Sequence, residues 1–438
     1  MKSTLLTLLC WKAIFLKNFK TLTCCRLCLG EFYPDSLVLI DTPLANELWE
    51  TRDTAMLAET FPLEVVMCIS CKHVQLKHIV SEDRLFQKYV YQSGTSIFFQ
   101  NHFKEFAATT SKFVENGKIL EIGSNDGTLL AAYKDLGFDA VGIEPSKFLV
   151  DKCTESGLNV TEGYFSQEII QRIDPCSSGF DLVVGNNVFA HIDDLSSAFR
   201  LAKECLTLTG VFVFEVSHLL RLVESGNFDS IYHEHMSYHS VFSLDLLCNS
   251  VGLRIFSVEE ISSHGGSIRV FITRNQNRSR ETSVDELINR EISLGLNDVQ
   301  VLRVIEKRIA EVKNSVVSAL ETLSIDGKYQ IIGYGAPAKM ITFVFQLQLT
   351  NFNFLCIIDD NVDKQELFAP AWGVEIVSRE NAKLRVKKEL ERDTAIKYVV
   401  YVFPWNLSSE IISKLNGIVP PHSYCIWMNN GLQIKELA

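Results

Sequence analysis

Two Cys-x-x-Cys pairs, Cys25-Arg-Leu-Cys28 and Cys68-Ile-Ser-Cys71, bracket a short segment near the start of the chain, and no other feature constrains the local fold as tightly. Each pair bends the backbone so that two sulfurs face one point. Two such knuckles complete the all-thiolate tetrahedron that a structural zinc takes. The competing reading is two thiol pairs packed separately in a core, and Cys24 beside Cys25 leaves the ligand choice there open. A redox role lacks the βαβ setting in which such pairs work. A metal with four protein ligands has no open position for chemistry, so zinc here is expected to be structural.

At 438 residues the chain exceeds one ordinary core and predicts two or three domains. A net charge of -11 without a Lys/Arg-rich block argues against nucleic acid or an anionic membrane as the main partner. The eight cysteines outside the two pairs lack the density of a secreted disulfide scaffold and suit a reducing, cytoplasmic setting. Within residues 1–19, apolar runs at 5–9 and 13–16 are broken by Lys12, too short to span a bilayer and without a signal-peptide cleavage site. Residues 1–22 are therefore read as an unassigned extension.

Residues 23–80, pinned by the four cysteines, are expected to form a loop-rich zinc-binding domain. Ser81-Glu82-Asp83 opens a helix, and a helical connector through Tyr91 and Phe106 leads into alternating strand and helix signals. Short apolar runs at 118–122, 139–143, 181–184 and 211–216 predict buried parallel strands, with helical spacing at 128–136, 146–155 and 195–206. The fold class is thus α/β: a doubly wound, Rossmann-like central domain over 81–280, with ligands at the carboxyl ends of its strands. Runs at 253–258 and 267–273 predict an antiparallel hairpin. The charged, periodic stretch 282–323 reads as one or two helices. Strand signals then restart at Gln330, Phe354 and Tyr398, predicting a smaller Rossmann-like unit within 281–438.

In Glu121-Ile-Gly-Ser-Asn-Asp-Gly127, Gly123 and Gly127 let backbone approach a ligand, while Ser124, Asn125 and Asp126 offer polar contacts at a helix start. Glu144, at the end of the next strand, is placed to accept ribose hydroxyls. The spacing fits NAD or S-adenosylmethionine. Absence of the Gly-x-Gly-x-x-Gly order that cradles a pyrophosphate favours the latter. Asn186 and Asn187 end a third strand, either beside the methyl donor or as caps for the following helix. Ile231-Tyr232-His233-Glu234-His235 combines a proton acceptor, a carboxylate and a phenol; catalysis, metal binding and a structural role all remain open. Ser263-His264-Gly265-Gly266-Ser267 is a hairpin turn, a substrate contact, or both. Gly333-x-Gly335-x-x-Ala338, followed by Lys339, suits a cofactor or the diphosphate of an activated substrate, or is a fold element alone.

Taken in order, these motifs, together with Thr42-Pro-Leu-Ala-Asn46, Phe61-Pro-Leu63, Tyr89-Val-Tyr-Gln-Ser93 and Asn186-Asn-Val-Phe-Ala-His191, resemble the three-domain sugar C-methyltransferases from about Cys25 to the C-terminus. The resemblance implies a zinc domain, a class I domain binding S-adenosylmethionine, and a C-terminal Rossmann-like domain for a nucleotide-linked keto-deoxysugar. It further implies His235 as general base, with Tyr232, His233 and Glu234 around the sugar, and Tyr91 and Ser93 lining the cofactor and substrate cleft. An O- or N-methyltransferase and an NAD-dependent oxidoreductase are the rival activities. Nothing in the sequence fixes the oligomeric state, and a monomer is compatible with it.

Overall fold

The computed structural model describes residues 14–16, 18–86, 94, 97–114, 117–225, 227–324, 329–415, 417–429 and 431–437. They fall into two compact units that interleave along the chain. The first holds the described residues of Met1–Ser36 with Val65–Arg221 and Glu234–Val301; the second holds those of Leu37–Glu64, Leu222–His233 and Leu302–Ala438.

The first unit is built on a seven-stranded sheet of β1 (Lys118–Ile122), β2 (Asp139–Glu144), β3 (Asn159–Glu162), β4 (Phe180–Asn186), β5 (Leu206–Ser217), β6 (Arg254–Ile261) and β7 (Ser267–Thr273). Their spatial order is β6-β7-β5-β4-β1-β2-β3. β1 to β5 are mutually parallel, and β7 runs antiparallel to both β5 and β6. The strand order reverses between β1 and β4, so the crevice of a doubly wound sheet opens at their carboxyl ends.

Both faces of this sheet are covered, which is why its strands read as unbroken apolar runs rather than alternating ones. Ile119, Leu182, Val184, Val211 and Val213 pack against Phe103 and Phe106 of helix Ile97–Thr110 and Leu129 and Tyr133 of helix Thr128–Asp135. Their neighbours Leu120, Val183, Phe212 and Phe214 point the other way, towards Leu195 and Phe199 of helix Leu195–Cys205 and Leu244 of helix Val241–Val251. Cys25, Leu27, Cys68 and Cys71 belong to this second core, so the thiol knuckles are packed into the first unit. Each large apolar side chain buried this way contributes about 1.5–3 kcal/mol.

The N-terminal region is not loop-rich. It carries strands Phe32–Pro43, Thr60–Cys68, Val74–Leu76 and His78–Val80. Along Phe32–Pro43 the apolar residues alternate, Leu37 and Leu39 buried and Val38 and Ile40 exposed, the period-two pattern of a half-buried strand. The weight given to the cysteines masked that pattern. Within the stretch read as an extension, Ile14–Leu16 pairs with Phe19–Thr21, which pairs in turn with His78–Val80.

The second unit restarts the alternation with β8 (Tyr329–Tyr334), β9 (Phe354–Ile358), β10 (Ile376–Val377), β11 (Lys397–Val402), β12 (Tyr424–Met428) and β13 (Leu432–Glu436). The order is β10-β9-β8-β11-β12-β13, parallel except for β13. The charged stretch before it resolves into two helices, Thr282–Ser293 and Gln300–Ser324. Among the described residues, no helix is long and apolar enough to cross a membrane.

Candidate functional site

The two thiol knuckles fold alike. In the first, Leu29 N–H donates to Cys25 O and Leu29 takes φ +60°; in the second, Lys72 N–H donates to Cys68 O and Lys72 takes φ +60°. These turns aim the Sγ atoms of Cys25, Cys28, Cys68 and Cys71 at one point, all within 4.8 Å of one another, with Cys24 outside the set. A Zn–S bond of about 2.3 Å places tetrahedral sulfurs about 3.8 Å apart, so the quartet fits zinc.

At the switch point, Gly123, Asn125 and Gly127 all have positive φ (68°, 50° and 76°). A Cβ on Gly123 would stand 2.4 Å from Val188 Cγ2, so the turn admits only glycine there. Glu144 accepts from Asn125 N–H and Ser146 N–H, both at 2.9 Å. Burial raises its pKa and these amides oppose the rise. Asp126 accepts from Gly94 N–H at 2.7 Å and from Thr128 Oγ1. The Ser124 hydroxyl and both polar atoms of the Asn186 side chain are buried without protein partners. Buried polar atoms of this kind call for a ligand to bond them, and here they stand at the carboxyl ends of β1 and β4. The helix-cap reading of the Asn pair fails, because Asp194 accepts from Ser197 N–H and caps helix Leu195–Cys205 itself. Asn187 instead takes φ +56° and donates its N–H to Glu215 O. Tyr91 and Ser93 lie outside the described residues.

The Tyr-His-Glu-His segment spans the divide between units, with Tyr232 and His233 on the second and Glu234 and His235 on the first. Tyr232 and His235 are half-buried; His233 and Glu234 are buried. In the second unit His233 Nε2 stands 3.3 Å from Pro62 O, and its ring packs edge-on to Phe61. In the first unit the His235 ring centroid lies 5.0 Å from that of His191, on the loop that follows Asn186. Met236 N–H donates to Ala190 O at 2.8 Å and fixes this approach. Sequence spacing gave His191 no role, since its closeness to His235 arises only in the fold.

A second feature escaped the sequence reading. Glu215 is fully buried on β5, opposite Asn186 in register, and its carboxylate binds Arg269 Nε at 2.7 Å and His102 Nε2 at 2.6 Å. The signal was present: one acid in the 211–216 run and one base in the 267–273 run, both in fully covered strands, must find each other.

His264 and Gly265 form a 3-10 turn between β6 and β7, with Gly265 and Gly266 at φ +87° and +120°, so the hairpin reading holds for the backbone. In the second unit Gly335 has φ +82° and donates its N–H to Ile358 O, while Ala336 N–H donates to Asp359 Oδ2. Pro337 has no N–H to offer. The amides of Gly335 and Ala336 are therefore engaged within the unit. Lys339 Nζ lies 3.9 Å from Asp229 Oδ2 and 5.2 Å from the Trp405 ring. Burial raises the Asp229 pKa, with Lys339 opposing the rise.

A doubly wound sheet closed by an antiparallel β7, with a glycine turn after β1 and an acid ending β2, defines an S-adenosylmethionine-dependent methyltransferase, here joined to a four-cysteine zinc-binding domain. The matching protein families agree. Residues 25–86 match a family described as a zinc binding domain, 98–258 a methyltransferase domain, and 262–426 a C-methyltransferase C-terminal domain. The C-methyltransferase NovU of Streptomyces niveus is 29% identical over 394 residues, which cover 89% of this chain and 91% of that protein. Among solved structures, the CcbJ methyltransferase of Streptomyces caelestis is 16% identical over 40% of this chain and 89% of its own, with a TM-score of 0.33. An S-adenosylmethionine-dependent methyltransferase of Clostridium acetobutylicum is 14% identical over 42% and 93%, with a TM-score of 0.32. In that order of domains, and over nearly its whole length, the chain is similar to a C-methyltransferase.

Proposed function

We propose that this C-methyltransferase acts on a nucleotide-linked keto-deoxysugar and that His235 is the base that makes the sugar carbon a nucleophile. When bound, S-adenosylmethionine supplies an electrophilic methyl group. A sugar carbon attacks such a centre only as a carbanion equivalent, which a neighbouring keto group makes accessible as an enolate. The observation that carries this reading is the His235 ring 5.0 Å from His191, on the loop that leaves β4 at the ligand end of the sheet. An imidazole there is placed to take the proton alpha to the carbonyl, a step worth about 10²- to 10⁴-fold in rate.

Tyr232 is assigned as a phenolic donor to the sugar, Glu234 as the buried carboxylate orienting the segment, and His233 as its support against Pro62 and Phe61. Gly123, Ser124, Asn125, Asp126, Gly127, Glu144, Asn186 and Asn187 are assigned to the methyl donor. His264 and Gly265 are assigned to the sugar, and Lys339 to the diphosphate by its charge, with Gly335, whose N–H is held by Ile358 O, letting the backbone come close to it.

In the test, His235→Asn is incubated with labelled S-adenosylmethionine and a panel of nucleotide-linked keto sugars, and donor affinity is measured by calorimetry. We expect turnover to fall at least about 100-fold with donor affinity nearly unchanged. Near-normal turnover removes His235 from the role.

A further inference from the structure

We propose that the zinc knuckles act as the frame that positions His235 and His191, through Arg26 and His73, two buried residues placed beside the cysteines. The inference lies wholly within the first unit. It rests on the base reading above only for its kinetic consequence.

A backbone ladder carries the coupling. Leu76 N–H donates to Met236 O at 3.0 Å, and Met236 N–H donates to Ala190 O at 2.8 Å. Its rungs are next to His235 on one side and His191 on the other, so the position of strand Val74–Leu76 sets the separation of the two imidazoles. The strand continues directly from the second knuckle, and residues 237 and 238 pair with it, Ser237 opposite Gln75 and Tyr238 opposite Val74.

Side chains from both knuckles lock this ladder. Arg26, between Cys25 and Cys28, donates its backbone N–H to Gln75 Oε1 at 3.1 Å and Nη2 to Leu76 O at 3.0 Å, while Nη1 lies 3.5 Å from Asp193, two residues past His191. His73, two residues past Cys71, places Nε2 3.1 Å from Ser237 Oγ and its ring 5.6 Å from that of His239. His239 Nε2 in turn lies 3.1 Å from Phe189 O, on the His191 loop.

A guanidinium whose side chain is 2% exposed is a costly way to fill a core, because burial disfavours its charge and the Asp193 carboxylate stands 3.5 Å away. An apolar residue would pack the knuckle more cheaply. What the arginine adds is direction: it joins the metal-bound turn to the strand on one side and to the His191 loop on the other. Arg26 and His73 are thus positioning residues, acting through the ladder.

The test compares zinc-loaded wild type with Arg26→Met, which keeps length and loses the charge, and with Ser237→Ala, which cuts the His73 link without altering a knuckle. Zinc content and S-adenosylhomocysteine affinity are measured as controls. Long-range ¹H–¹⁵N spectra then report the ring resonances of His191 and His235. In variants retaining zinc and cofactor affinity, both rings are expected to shift, and the turnover of the panel substrate accepted by wild type to fall about 10- to 100-fold with its KM little changed. Ring resonances superimposable on wild type in either variant overturn the proposal. The spectra decide it even if His235→Asn proves active, so failure of the base assignment and failure of the positioning role are read separately.

Discussion

Glu121 shows how a single side chain sets a pH dependence. Burial, then Asp126 and Glu144, push its carboxyl well above the ordinary range, and its Oε2 is buried without a partner. Between the ordinary value of about 4.3 and the raised one, the folded state holds a proton that the unfolded chain has released, so this residue's contribution to stability falls as pH rises. Gln mimics the protonated acid. Glu121→Gln is therefore expected to stabilise the protein relative to wild type by an amount that grows with pH up to the raised value, by at most about 1.4 kcal/mol per pH unit, read by urea unfolding in steps from pH 5 upward. A difference independent of pH would show that Glu121 is ionised in the fold. Gly123 makes a second residue-scale prediction: with φ +68° and Val188 Cγ2 2.4 Å from any Cβ, Gly123→Ala should weaken S-adenosylhomocysteine binding at least about tenfold, through the cost of a left-handed alanine plus displacement of Val188. The glycine turn at Gly123 and the place of Glu144 at a strand end were legible in the sequence because backbone geometry and strand spacing are local. His191 and the buried state of Arg26 were not, since both depend on which loops the fold brings together.

Among the elements, the β1, β2, β4 and β5 runs were readable because both faces of the sheet are covered, leaving little polar residue to break them. Strand Asn159–Glu162, partly exposed and only four residues long, and helix Val241–Val251, whose period is blurred by the apolar Phe242 and Leu246 outside its buried face, went unread. That helix also starts on a contact no local pattern announces. Glu291, fully buried on helix Thr282–Ser293, accepts from Val241 N–H at 2.7 Å, Phe242 N–H at 2.9 Å and His218 Nε2 at 2.7 Å. Glu291→Ala strands three donors in the core and is expected to cost about 3–5 kcal/mol, measured as a lowered midpoint in chemical denaturation. A loss below about 1 kcal/mol would mean that water replaces the carboxylate freely.

Across the whole molecule, the chain leaves the first unit for Leu37–Glu64 after one thiol knuckle and re-enters it at Val65, three residues before the other. It leaves again for Leu222–His233 and returns one residue before His235. Tyr232 and His233 thus belong to one unit and Glu234 and His235 to the other, a division that the run of motifs in the sequence does not show. In the proposed mechanism His235 removes a carbon-bound proton before any methyl moves. Incubating the protein in deuterium oxide with the nucleotide-linked keto sugar panel and S-adenosylhomocysteine, with no methyl donor, tests this directly. Mass spectrometry should find one deuterium entering the accepted sugar alpha to its carbonyl with wild type and none above the buffer rate with His235→Asn. Exchange at the wild-type rate in that variant, or none with wild type on a sugar it methylates, would contradict the claim.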